Sequence, residues 1–311
     1  MNGHSKVLIT GASGVIGLRI AKWLRNSSEY IIDLAYRTPL EPKQKLMVSE
    51  GFRHYIGDLT EQSYLDSLGG YDCIYHCGGF GQPQKFLQDP EKTFLINTNV
   101  LQKLAAKVNP NGHFVFFSTS ELYVNSESTK EDEQIVIDPN NKRNCYILGK
   151  LFGEYYLRMA SHKRNINFKN IRICLCYGPC FRPTDKRALY ELIFKAVDSG
   201  NISLIDDGSA IRHYIYIDDA IEMICNIVKT GRYDTYNVGG KEKISILEIA
   251  KIISRLTNAT LEIGIPNNKL ADSPKFAGVD IGRYEQEFGP IRFTSLEIGI
   301  QKCIDWYGGV R

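Results

Sequence analysis

The sequence predicts an α/β fold built on a doubly wound, parallel sheet, and three observations carry that expectation. Short apolar runs closed by glycine or polar residues recur through the first half of the chain. Segments with apolar residues at helical spacing lie between them. Beyond Gly178-Pro179 the texture changes to helices joined by short strands and turns, which predicts a smaller C-terminal lobe. A strand covered by helices on both faces reads as a continuous apolar run, and strand–helix alternation is the mark of βαβ units.

The elements follow in order. Lys6–Thr10 is a buried strand ending at Gly11, and Val15–Leu24 has helical spacing through Ile16, Ile20 and Leu24. Tyr30–Ala35 and Phe52–Ile56 give the second and third strands, with a short helix at Glu61–Leu68. Cys73–Cys77 is the fourth strand, Glu91–Val108 one long helix, and Phe114–Ser118 the fifth strand. Tyr146–Ala160 is a helix leading to a sixth strand at Ile171–Cys176. The second half offers helices at Leu189–Asp198, Ile217–Lys229 and Ile246–Leu256, and a seventh strand at Tyr236–Val238. We therefore expect residues 1–177 to form the sheet domain, 213–240 to return to it, and 178–311 to form mainly a second lobe. The length of 311 residues suits two units at ~150 residues each.

Composition excludes several classes. Apolar residues make up 43% and charged residues 23%, values of a folded domain rather than of a disordered or collagenous chain. No apolar run approaches the ~18 residues of a membrane span. Lys and Arg total 38 against 35 Asp and Glu, and a net charge of +3 predicts neither nucleic-acid nor membrane-surface binding. The first strand follows Met1 with no apolar leader, so the expected location is cytoplasmic and the eight cysteines are expected to be reduced. Cys174, Cys176 and Cys180 have no second Cys or His cluster to complete a zinc site, so no metal is expected.

The chemistry-bearing motifs fall at the ends of strands. Gly11-Ala-Ser13-Gly14-Val15-Ile16-Gly17 follows the first strand and opens a helix. Its glycines permit a tight turn and close approach of a pyrophosphate to a helix N-terminus, which makes the sheet Rossmann-type. At the end of the second strand no acid is placed for an adenosine ribose: Asp33 comes two residues early and Arg37 follows. That pattern favours NADP over NAD, with Arg37 on a 2′-phosphate. Asp58, beside Leu59, is placed to reach an adenine amino group or to cap the helix that follows. Ser118-Thr119-Ser120-Glu121 follows the fifth strand, and Tyr146 and Lys150 share one face of the next helix. An ammonium near a phenol lowers its pKa, so Tyr146 can take the proton of a sugar hydroxyl while Thr119 orients the same oxygen. Lys150 also bonds the nicotinamide ribose.

These motifs resemble the extended short-chain dehydrogenase/reductase family, in its nucleotide-sugar epimerase/dehydratase branch. The resemblance spans nearly the whole chain: the glycine turn, Gly57-Asp58-Leu59, Asn97, Ser118–Tyr123, Tyr146–Lys150, Arg172 through Tyr177-Gly178-Pro179, Arg212–Asp219 and Tyr236–Gly240. It implies Thr119, Ser120, Glu121, Tyr146 and Lys150 as the catalytic set. It implies a cofactor bound by Gly11, Ser13, Gly14, Val15, Ile16, Gly17, Asp58, Leu59, Cys77, Gly78, Gly79, Asn97 and Ser118, together with Tyr146 and Lys150. The implied partner is a nucleoside-diphosphate sugar, with Arg212 on its diphosphate and Arg182 in a basic loop that either faces phosphates or is solvated. It also implies a homodimer through a four-helix bundle of Glu91–Val108 and Tyr146–Ala160.

Ser-Thr-Ser-Glu is similar to the segment of 4,6-dehydratases and of UDP-glucuronate decarboxylases. The expected reaction is oxidation at C4 followed by elimination, with Glu121 removing the C5 proton. Decarboxylation, epimerisation and 4-keto reduction are the alternatives, and a dinucleotide-binding regulator is the non-enzymatic one. The chain departs from the branch at Leu175, where Asn is usual, at Val124, where Gly is common, and at Cys145, where Pro or another small residue is usual.

Overall fold

In the computed structural model, which describes residues 4–48, 50–265 and 274–309, the first strand β1 (Ser5–Thr10) buries Val7, Leu8 and Ile9 completely. Such a strand needs apolar cover on both faces. Helix α1 (Val15–Arg25) supplies it on one side through Leu18, Ala21 and Leu24. The chain continues through β2 (Tyr30–Tyr36), α2 (Pro42–Met47), β3 (Phe52–Ile56), α3 (Gln62–Ser67) and β4 (Tyr71–His76). It then runs through α4 (Pro83–Gln88), α5 (Pro90–Leu95), α6 (Leu101–Ala105), β5 (Val108–Thr119), α7 (Asn144–Arg164), β6 (Asn167–Ile173) and β7 (Cys176–Tyr177). The remainder comprises α8 (Ala188–Ser199), β8 (Asn201–Ser203), β9 (Ile211–Arg212), β10 (Ile215–Tyr216), α9 (Ile217–Thr230) and β11 (Thr235–Val238). After these come β12 (Ile244–Ser245), α10 (Ile246–Thr257), β13 (Thr260–Glu262), β14 (Phe276–Ala277), α11 (Gly282–Phe288) and α12 (Leu296–Gly308).

Seven strands form one parallel sheet in the order β11-β6-β5-β4-β1-β2-β3. The chain leaves β1 in one direction and returns to β4 on the other side. That reversal opens a crevice above the carboxyl ends of β1 and β4, where this class of sheet holds its ligands. One core layer lies around α1, α8, α9 and α10, the other around α6 and α7 with Phe114, Phe116 and Leu157. Helix α9 packs on α1. The rest of the second half builds small sheets, β7 with β10, β8 with β13, and β9 between β12 and β14. No helix among the described residues is long and apolar enough to cross a membrane.

Two elements differ from expectation. The long helix over Glu91–Val108 is instead α5, a π-helical turn at Ile96–Val100, and α6 ending at Ala105. Apolar spacing cannot distinguish a local i→i+5 bond from an i→i+4 bond, and such turns favour functional sites; this one carries Asn97. Strand β5 starts earlier than Phe114, because Val108 already pairs with Tyr71. The Asn-Pro-Asn-Gly sequence after Val108 reads as a turn, and it is accommodated by a register shift with Asn111 at φ 63°.

Candidate active site

The crevice is a groove of about 340 Å³ bordered by the glycine turn, the ends of β2 and β3, the Cys77–Gln82 loop and the loop after β7. Gly11 has φ +64°, and a Cβ there would lie 2.7 Å from the backbone of Cys77 and Gly78. A Cβ at Gly17 would lie 2.8 Å from Ala12 and the Gly11 carbonyl. Neither position admits a side chain, so the turn stays tight against β4. Helix α1 has no side-chain cap at Gly14, which leaves its first amides facing the groove beside Ser13, Val15 and Ile16. Unsatisfied amides at a helix N-terminus suit a diphosphate. Gly78 and Gly79 face them across the groove.

At the adenosine end the expectations need correction. Asp33 is fully buried and pairs with Arg53 at 2.7 Å, while Tyr71 donates to it at 2.9 Å; it points away from the groove. Asp58 accepts from the Thr60 amide and hydroxyl and from Lys92. Those hydrogen bonds outweigh its desolvation and hold its carboxyl near about 2. The helix cap is Glu61 rather than Asp58 or Thr60. Arg37 lies 3.5 Å from Asp58 and stacks over Phe80, so its charge is already partnered. Arg182 also sits at this end. Its guanidinium lines the groove, donates to the carbonyls of Thr38 and Pro39 and pairs with Glu41 at 3.3 Å. Gln44, buried in α2, ties the same loop down by donating to the Cys180 carbonyl at 2.9 Å.

Beyond Gly79 the groove meets the end of β5. Thr119 accepts the Glu121 amide at 3.2 Å as the cap of a single 3-10 turn at Ser120–Tyr123. Tyr146 is buried nearby. Burial raises the Tyr146 phenol, the Glu121 charge raises it further, and the Thr119 hydroxyl and the charge of Arg143 act in the opposite direction. Lys150, one turn along α7, donates to the Phe117 carbonyl at 2.6 Å and lies 5.7 Å from the Tyr146 ring centre. A Cβ at Gly79 would lie 3.9 Å from its Nζ. Burial lowers the Lys150 ammonium to about 7.

The remaining expected residues fall nearby with different roles. Ser118 donates to Glu154 at 2.5 Å and is buried, so its hydroxyl belongs to the ion pair of Glu154 and Arg172 rather than to the groove. Asn97 is buried and its amide donates to the Thr93 carbonyl; its Oδ1 has no partner among the described residues. Ser120 acts on the buried Cys174 thiol, lowering a pKa that burial raises. Arg212 donates to the Ile211 carbonyl at 2.8 Å and carries no carboxylate partner among the described residues; burial lowers its pKa. Leu175, in place of the usual Asn, has φ +28°, which is uncommon for a branched residue and sits beside this site. Among the described residues no group of His, Cys, Asp or Glu is placed to hold a metal ion, and all eight cysteines are free.

Two residues that sequence reasoning did not single out complete the cluster. Arg143, the residue before α7, donates Nε and Nη2 to the two Glu121 oxygens at 2.8 and 2.6 Å. Phe86 of α4 is fully buried and stacks on the Tyr146 ring, 4.8 Å between centres and parallel to within 1°. The Arg143 guanidinium lies 5.0 Å from the centre of the Phe86 ring. The one available signal was the position of Arg143, three residues ahead of Tyr146; nothing in the sequence pointed to Phe86.

A glycine-lined groove at a sheet switch point, with Lys150 and Tyr146 next to its Gly79 wall, has the make-up of a dehydrogenase-like site. Residues 7–239 match the model of the NAD dependent epimerase/dehydratase family, and the chain belongs to that family. It is 23% identical over 309 residues to UDP-glucuronic acid decarboxylase 1 of Xenopus tropicalis, covering 98% of this chain and 72% of the relative. It is 26% identical to a dTDP-4-dehydro-6-deoxy-D-allose reductase of Streptomyces bikiniensis, over 97% and 95% of the two chains. The crystal structure of a Bacillus cereus UDP-glucuronic acid 4-epimerase, in complex with UDP-glucuronic acid and NAD, superposes with a TM-score of 0.81 at 23% identity, over 98% of this chain and 100% of that one. The expected preference for NADP is therefore corrected: the family is NAD-dependent, the solved relative holds NAD, and Arg37 is engaged by Asp58 and Phe80.

Proposed function

We propose that the chain oxidises C4 of a nucleoside-diphosphate hexuronate and releases the C6 carboxylate as carbon dioxide from the resulting 4-ketone. The observation that carries this is the Glu121–Arg143 pair beside Tyr146. Elimination of water across C5 and C6 needs a free carboxylate to take the C5 proton, and both oxygens of Glu121 are occupied. Decarboxylation needs no such base. With a ketone at C4, the C6 carboxylate is a β-keto acid: the C5–C6 bond breaks, its electrons pass into the C4 carbonyl, and C5 takes up a proton.

The groove fits NAD through the glycine cradle and the uncapped helix; Gly11–Gly17 would hold its diphosphate and Lys150 its nicotinamide ribose. When bound, NAD supplies the two-electron acceptor and donor. The chain's own groups do the rest. Thr119 donates its hydroxyl to the C4 oxygen, and Tyr146, as its phenolate, takes the proton of the C4 hydroxyl. Lys150 places a positive charge near the Tyr146 ring and favours its phenolate form, which then accepts the C4 hydroxyl proton. Arg212 meets the substrate diphosphate with a guanidinium that no carboxylate among the described residues neutralises.

Decarboxylases and uronate epimerases among the relatives support a uronate substrate. The 4,6-dehydratase is the second reading, favoured by the position of Glu121 one turn from Thr119 with its charge acting on Tyr146. Incubation with UDP-glucuronate and UDP-glucose, followed by mass analysis of the nucleotide sugars, separates them. Loss of carbon dioxide from the uronate supports the proposal. Loss of water from the neutral sugar supports dehydration, and an unchanged mass with inverted C4 supports epimerisation.

The same reading includes a homodimer. Leu148, Tyr155 and Met159 are exposed along one side of α7, and Phe94 and Leu95 are exposed on the adjoining α5. A second copy covering this apolar face gives an isologous contact.

A further inference from the structure

Arg143 holds Glu121 with one edge of its guanidinium, Nε and Nη2, and leaves Nη1 outside the pair. Its position is fixed by more than that pair. The guanidinium rests on Phe86, Phe86 stacks on Tyr146, and the Cys145 thiol next in sequence approaches the Phe86 carbonyl at 3.5 Å. Arg143 is thus seated on the same stack that seats the tyrosine. Its charge acts on both Tyr146 and Arg212, the cation assigned to the diphosphate. C6 of a hexose is two bonds from C4, so a sugar whose C4 oxygen reaches Tyr146 brings its C6 substituent into this neighbourhood.

Resting on the uronate reading above, we infer that Arg143 is the residue that selects a C6 carboxylate, and that the substrate carboxylate takes the guanidinium edge that Glu121 occupies in the free protein. A guanidinium fork matches one carboxylate bidentately, and Glu121 is a resident that mimics the ligand. It keeps a partly buried cation partnered before substrate binds, and it sets a threshold that only another carboxylate meets. A C6 hydroxymethyl group offers one neutral oxygen and cannot displace it. Release of Glu121 also frees its carboxylate next to Tyr146 only when a uronate is in place.

The inference gives opposite effects for the two members of the pair. Calorimetric titration with UDP-glucuronate and with UDP-glucose, every NAD-loaded protein also carrying Tyr146→Phe so that the sugar is bound but not converted, yields a selectivity ratio that needs no turnover. Glu121→Gln removes the competitor's charge, so the ratio should rise in favour of the uronate. Arg143→Gln should bring the ratio close to one, a loss of at least tenfold, and Arg143→Lys should restore part of it as a point charge without the fork. Circular dichroism and cofactor content report whether each variant is folded. If Arg143 only clamps Glu121, both variants weaken both sugars alike and the ratio does not move; that result overturns the inference. A ratio that falls in Glu121→Gln overturns it also. Product mass from the unaltered enzyme tests the decarboxylation reading separately, so either can fail while the other stands.

Discussion

Lys150 gives NAD binding a pH dependence whose sign and size follow from the structure. In the cofactor-free protein burial lowers its ammonium to about 7, and the nearby Cys77 and Glu154 act weakly the other way. A bound NAD brings a diphosphate and ribose hydroxyls, both of which favour the charged amine. The pKa in the complex therefore lies above that of the free protein. Below about 7 both forms carry the proton and affinity is level. Above it the free protein must take up a proton to bind, and affinity falls as pH rises until the complex itself titrates. One proton per cofactor limits the loss to about tenfold per pH unit, or roughly a hundredfold over about two units. Asp58, held at about 2, and Cys77, whose thiol burial pushes far up, stay silent in this window. The assay is calorimetric titration of the NAD-stripped protein in buffers of different ionisation enthalpy. It should show uptake approaching one proton, and Lys150→Met should abolish the uptake. A level affinity with no proton uptake above neutral pH would refute the reasoning.

Arg172→Met leaves Glu154 buried, charged and unpaired, which should cost about 3–5 kcal/mol in denaturant unfolding, and adding Glu154→Leu should recover most of that loss. Arg182→Ala removes the bonds that tie the loop after β7 to Thr38 and Pro39 over the groove, so NAD release measured by displacement should speed up while the product stays the same. Light scattering should give a dimer at micromolar protein, and Met159→Glu with Tyr155→Glu should give a monomer; a monomeric unaltered protein would contradict the proposed contact.

The sheet was legible because a central strand such as β1 is buried on both faces and ends at a glycine, Thr10-Gly11. The helix expected over Glu91–Val108 was not, since a π turn keeps the apolar rhythm on which the expectation rested. The site divides along the same line. Residues whose role follows from a strand end or from helical spacing, such as Gly11, Gly17, Thr119, Tyr146 and Lys150, come together in the structure. Residues whose role depends on a partner far along the chain did not announce themselves. Arg37 reads as a free cation until Asp58 is seen beside it, Ser118 as a groove hydroxyl until Glu154 takes it, and Glu121 as a free base until Arg143 occupies both oxygens. Charge and hydrogen-bond partnership is a property of tertiary contact, and spacing within one segment does not encode it.

The central claim is that Tyr146 takes the proton from the C4 hydroxyl while C4 is oxidised. Rapid mixing of the NAD-loaded protein with UDP-glucuronate, followed by the absorbance of reduced nicotinamide, tests it within a single turnover. Tyr146→Phe keeps the ring and its stacking on Phe86 and removes only the hydroxyl. The account predicts that cofactor reduction in this variant slows by roughly two to four orders of magnitude while sugar binding is retained. Reduction at the unaltered rate in Tyr146→Phe would contradict it.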